Sequence, residues 1–119
     1  MSPEGPVLCR LEDIEDGEGK GFALKQDGAR QEIFVVRDGT QVFGYRNLCP
    51  HAGTNLDWQP DRFMNGDGSY IMCHTHGALF RIEDGFCVAG PCAGMSLTPV
   101  AVALDAAGGV RLCETEAPA

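Results

Sequence analysis

A chain of 119 residues with 9 Lys and Arg against 17 Asp and Glu carries a formal charge of −8, and 44% of it is hydrophobic. That length suits a single domain and that apolar share argues against disorder throughout. The acidic balance excludes a nucleic-acid binder, which needs clustered cations to neutralise phosphates.

In chain order, short β-type runs bounded by turn residues predict strands at 7–10, 21–25, 32–37, 41–46, 70–72, 78–82, 97–103 and 110–113. Helical periodicity is hard to find. Between the first two strands, residues 11–18 carry Glu12, Asp13, Glu15, Asp16 and Glu18, and read as a solvated acidic loop, with a docking patch for a basic partner as the alternative. Asp38-Gly39 joins two strands with the chemistry of a tight hairpin, and Asp84-Gly85 does the same further on. The expected fold class is all-β, a small antiparallel sandwich or barrel-like scaffold. Residues 47–94 differ in texture, holding all three histidines, four of the six cysteines and much of the Gly and Pro, so they read as a loop-built site on that scaffold. The expected organisation is one domain over 1–119, with scaffold at about 5–46 and 95–113, a site-bearing subdomain at about 47–94 and a loose tail at 114–119.

The N-terminus, Met-Ser-Pro-Glu-Gly-Pro, lacks the basic start of a secretory signal. The longest apolar runs, 33–36 and 100–104, fall far short of the roughly 20 residues that span a bilayer. A cytoplasmic protein with no membrane partner is expected. Thiols stay reduced in that compartment, so cysteines near histidines read as metal ligands before they read as disulfides.

Two motifs carry that chemistry, Cys49-Pro50-His51 and Cys73-His74-Thr75-His76. Each places a soft thiolate and an imidazole on one tight loop. Two sulfurs and two nitrogens suit tetrahedral zinc or a [2Fe–2S] cluster with two His in place of two Cys on one iron. Ordinary zinc fingers put both cysteines in one arm and both histidines in the other, whereas here each arm supplies one of each. That mixing fits a two-iron cluster.

With these residues the sequence resembles the Rieske-type iron–sulfur proteins, and in length and layout a Rieske ferredoxin. Cys49-Pro50-His51-Ala52-Gly53 matches the family's Cys-x-His-x-Gly loop, Cys73-His74-Thr75-His76-Gly77 its Cys-x-x-His-Gly loop, and Gly90-Pro91 the Gly-Pro of a third, covering loop. With the flanking strands the match runs from about Val7 to Cys113. The resemblance implies one [2Fe–2S] cluster, with Cys49 and Cys73 on the inner iron and His51 and His76 on the outer. It implies that Gly53 and Gly77 let the loop backbones approach the sulfides, and that His74 is a solvent-facing neighbour. Between His51 and Cys73 lie 21 residues, a few more than such ferredoxins usually have, and the surplus is expected as a loop insertion at 59–68. Where high-potential members have a loop-to-loop disulfide and Ser and Tyr hydroxyls, this chain has Thr54, Thr75, Ala78 and Phe80. The resemblance therefore implies a potential at the low end of the Rieske range, about −150 mV.

The remaining cysteines form two pairs. Cys87 and Cys92 flank Gly90-Pro91, and either clasp the covering loop as a disulfide or, as a reducing cell favours, stay two small buried hydrophobes. Cys9 and Cys113 are expected to fill core positions in the terminal strands, and Trp58, Phe63 and Phe86 to pack around the site.

The function implied is electron transfer, not catalysis: single electrons passing from a flavin-dependent ferredoxin reductase to an oxygenase or similar terminal enzyme. No residue reads as a nucleophile or general base. A small Rieske-like subunit of a larger oxidoreductase such as a nitrite reductase is the alternative, with a redox-sensing or zinc-binding module behind it.

Overall fold

Ile33, Phe34, Val35 and Val36 are all buried in succession, so the strand that carries them is covered on both faces. The computed structural model describes residues 7–26, 29–48, 56, 63–65, 68–73 and 77–112. Their strands are β1 (Val7–Arg10), β2 (Gly19–Gln26), β3 (Ala29–Asp38), β4 (Gln41–Arg46), β5 (Ile71–Cys73), β6 (Ala78–Phe80), β7 (Cys87–Ala89), β8 (Pro99–Val100), β9 (Val102–Leu104) and β10 (Gly109–Leu112). They pair antiparallel in three sheets, ordered β1-β10-β9, β2-β3-β4-β8 and β5-β6-β7. The described residues hold one 3-10 turn, Leu11–Asp13, and no α-helix. None of their helices is long and apolar enough to cross a membrane.

The central sheet builds a core on each side. Alternate side chains of a strand point to opposite faces, so Phe34 and Val36 face one way and Val35 the other. On the first face, Phe34, Val36 and Tyr45 pack with Phe63, Ile71, Cys73, Ala78, Phe80, Cys87 and Leu97. Phe34 stacks on Phe63 with ring centroids 4.3 Å apart. On the second, Val35 packs with Ile14 and Val110, joined by Leu8, Cys9, Phe22, Val42, Val102 and Leu104. Each side chain so buried contributes about 1.5–3 kcal/mol, which is why β3 is apolar along its middle instead of alternating.

The acidic segment after β1 is tied down, not free. Ile14 is only 2% exposed and sits in the second core. The Arg37 guanidinium donates to the Ile14 carbonyl at 2.8 Å and to that of Gly39 at 2.7 Å, while Asp16 accepts from the Gly39 N–H at 2.8 Å. Apolar Ile14 lets the acidic side chains reach solvent from a fixed backbone. Burial among these side chains also pushes the Cys9 thiol pKa up, with Asp13 adding to the shift, in keeping with a core-filling role.

Four features differ from the sequence reading. Residues 97–103 are not one strand: β8 pairs with β4 and β9 with β10, so the chain changes sheets at Ala101. The 78–82 run stops at Phe80, and Ile82 buries its side chain in the turn that follows. β7 has no counterpart in the sequence reading. Within the expected insertion 59–68, Phe63 and Met64 are buried and Met64 bridges to Ile71, so this part extends the β5 sheet instead of looping out. Of 59–68, residues 59–62, 66 and 67 lie outside the described residues, as do Cys113 and the tail 114–119.

Candidate metal centre

Of the four expected ligands, Cys73 is described, while Cys49, His51 and His76 lie outside the described residues, as do Gly53, Thr54, Trp58, His74 and Thr75. The supports at the ends of both loops are described, and they fix where each loop starts and stops.

Cys73 is the last residue of β5 and is wholly buried in the first core. It pairs with Ala78, the first residue of β6, so the loop carrying His76 is a hairpin loop closed by that pair. The Gly77 N–H donates to the Cys73 carbonyl at 2.8 Å and the Gly77 backbone sits at φ 73°, a left-handed conformation that side chains disfavour. The sequence motif thus has a local cause: a left-handed residue is needed to turn the chain back into β6.

The other loop is clasped at its base by Asn47, 5% exposed at the end of β4. Its Oδ1 accepts from the Leu56 N–H at 2.7 Å, and its own N–H donates to the Glu32 carbonyl at 2.8 Å. Cys49 and His51 lie in sequence between these two fixed points. Sequence reasoning missed Asn47, because an amide that ties two loop ends leaves no motif.

The covering turn follows β7. A bulge at Val88 leaves Cys87 facing Phe80, and Ala89 facing Leu79. Gly90, at φ 103°, then runs against the Cys73–Ala78 hairpin: a Cβ placed there would lie 2.7 Å from the Ala78 Cα. This contact requires glycine. Before β7, Arg81 and Asp84 form an ion pair, and Asp84 Oδ1 also accepts from the Phe86 N–H at 3.0 Å. The Arg81 guanidinium and that N–H hold the Asp84 carboxyl below its ordinary pKa. Phe86 is exposed with the guanidinium over its ring at 5.2 Å, so it packs outward and not around the site, while Phe63 is buried as expected.

The described arrangement is an apolar, sulfur-bearing hairpin with the Gly90 turn packed against it, and a polar clasp between Asn47 and Leu56. Residues 5–103 match the Rieske [2Fe-2S] domain. The chain belongs to the Rieske family. No curated protein sequence matches it. Among solved structures, this Rieske domain is similar to the ferredoxin of carbazole 1,9a-dioxygenase from Nocardioides aromaticivorans IC177, at 26% identity and a TM-score of 0.69 over 92% of this chain and 97% of that one. It is equally similar to the Sphingomonas yanoikuyae B1 ferredoxin, at 26% identity and 0.68 over 94% and 100%. At 23% identity, a complex of reduced oxygenase and oxidized ferredoxin in carbazole 1,9a-dioxygenase shares the fold, with a TM-score of 0.69 over 94% of both chains.

Of the four expected ligands the described one, Cys73, sets its sulfur in a dry, apolar position, and a soft donor so placed suits an iron–sulfur centre. Ala78 and Phe80, both buried, offer no hydroxyl toward it.

Proposed function

We propose that this Rieske protein is a ferredoxin that holds one [2Fe–2S] cluster through Cys49, His51, Cys73 and His76, and carries single electrons from a flavin-dependent reductase to an oxygenase or similar terminal enzyme. The observation that carries the reading is the end-to-end match, at 26% identity, to a ferredoxin named for its dioxygenase. Residues about 47–94 are the cluster-bearing part, and about 5–46 and 95–113 the scaffold. The location proposed is the cytoplasm, whose reducing conditions keep the thiolate ligands available.

When bound, the cluster supplies one-electron redox capacity, and two imidazoles in place of two thiolates raise its potential above that of four-thiolate ferredoxins. The chain's own residues then act in three ways. Asn47 closes the base of one loop and the Cys73–Ala78 pair the base of the other. The surrounding core of Phe63, Ile71 and Phe80 keeps water from the Cys73 sulfur. Ala78 and Phe80 withhold the hydroxyl donors that would stabilise extra negative charge, which sets the proposed potential low, about −150 mV.

Replacing an outer-iron ligand tests the assignment. His76→Cys or His51→Cys is expected to lower the midpoint potential or lose the cluster while the scaffold stays folded. Electron paramagnetic resonance of the reduced protein reads this directly, and a variant with the parent's signal unchanged would show the ligand assignment to be wrong.

A further inference from the structure

Two cysteines that the proposed electron carrier does not use lie in contact. Cys87 opens β7, Cys92 sits in the turn beyond it, both are buried, and their Sγ atoms are 3.2 Å apart. The Cys92 thiol donates toward the Cys87 sulfur, and the Cys87 thiol toward the Ala89 carbonyl at 3.2 Å. A disulfide bond needs about 2.05 Å, so these are thiols in contact, a little over 1 Å from bonding distance. The Cys87 N–H donates to the Met95 carbonyl at 2.8 Å and the Gly94 N–H to the Cys87 carbonyl at 3.1 Å. The Met95 N–H donates to the Cys92 carbonyl at 2.9 Å. These bonds keep the two sulfurs opposed across one small turn. Between them in sequence lie Val88 to Pro91, the stretch that presses Gly90 onto Ala78.

We propose that Cys87 and Cys92 form a reversible dithiol–disulfide site that sets how the 88–91 turn sits on the Cys73–Ala78 hairpin, and through it the potential of the cluster. The second half of this statement rests on the ferredoxin reading; the first does not. The oxidant is a small-molecule disulfide. One cysteine thiolate attacks its S–S bond, forming a protein mixed disulfide and expelling one small thiolate. The second cysteine thiolate attacks the protein sulfur of that mixed disulfide, expelling the other. The two protons leave with the two small thiols, so one disulfide is consumed and one is made. Val88, Ala89, Gly90, Pro91, Ala93 and Gly94 are all exposed, so the turn that carries both thiols lies at the surface, where local opening is least costly. Because Gly90 already lies against Ala78 without room for a Cβ, a shift of the turn reaches the residue paired with Cys73.

The test equilibrates cluster-loaded protein in graded mixtures of 2-mercaptoethanol and its disulfide, quenches with an alkylating agent and maps the peptides. The tryptic fragment between Arg81 and Arg111 contains Cys87 and Cys92 and no other cysteine. The expected result is an unlabelled, internally bonded fragment from monomeric protein in oxidising mixtures, and a doubly labelled one after reduction. The same samples are titrated by spectroelectrochemistry, where the midpoint potential is expected to differ between the two forms and to stay constant across the series in Cys87→Ser and Cys92→Ser. Both cysteines labelled at every ratio, or bonding only between molecules, overturns the site. An internal disulfide with an unchanged potential overturns the coupling to the cluster. Protein that never takes up iron overturns the ferredoxin reading, while the peptide map still decides the cysteine pair.

Discussion

A buried amide without its partner costs far more than the pair gains in water, and Asn47 is where this chain runs that risk. Removing its side chain in Asn47→Ala leaves the Leu56 N–H buried without its acceptor, at a cost of about 1–3 kcal/mol. Urea denaturation is expected to show a midpoint lowered accordingly, and cluster content to fall because the first loop loses its fixed end; unchanged stability would mean that the clasp contributes nothing. Cys73 and Asn47 mark the two extremes of what single residues reveal in a sequence. The cysteine is legible because its chemistry demands a spacing: thiolate, imidazole and a left-handed glycine within five residues, 73–77. The asparagine is not, because its partner is a backbone N–H nine positions away that any residue type would supply.

At the scale of strands and turns, legibility followed periodicity and failed where the chain changes partners. The runs at 7–10 and 41–46 coincide with β1 and β4. β7 was hidden because three residues bracketed by Phe86 and Gly90 show no alternation, and its bulge would break one if it existed. The switch at Ala101 was hidden for the opposite reason: the apolar run continues unbroken while hydrogen bonding passes from one sheet to another. The β6–β7 turn is fastened to β4 through Tyr45, whose hydroxyl donates to the Ile82 carbonyl at 2.6 Å. Burial, with Asp84 and Glu83 nearby, pushes the Tyr45 pKa up to about 12 from 10.0. The folded state thus disfavours the phenolate, so this contribution to stability is full below pH 10 and is lost as pH rises toward about 12. Spectrophotometric titration is expected to show a tyrosine ionising near 12, and Tyr45→Phe to abolish that step; a phenol titrating at 10 in its place would rule out the buried bond.

For the molecule as a whole, the net charge of −8 acts on encounters more than on the fold. An acidic carrier suits a basic docking face on its redox partners, so its reduction of a basic one-electron acceptor such as a cytochrome is expected to slow several-fold between about 0.01 and 1 M salt, where the screening length falls from about 30 to about 3 Å. Stopped-flow rates independent of salt would remove steering from the account. The all-β class was legible at this scale from turn spacing. The two-sided burial of the central sheet was legible only in part, as the four consecutive apolar residues 33–36.

The passage of one chain segment from β8 to β9 through the single residue Ala101 has a mechanical consequence. A seam between two sheets is ordinarily a line along which a protein opens, each side keeping its own hydrogen bonds. Here the last ladder of the central sheet and the edge of the β1-β10-β9 sheet share one covalent thread with no slack between them. Prying that seam apart strips a strand from one side or the other, so the sheet that carries Tyr45 and the clasp at Asn47 yields together with the outer sheet, in a single cooperative event.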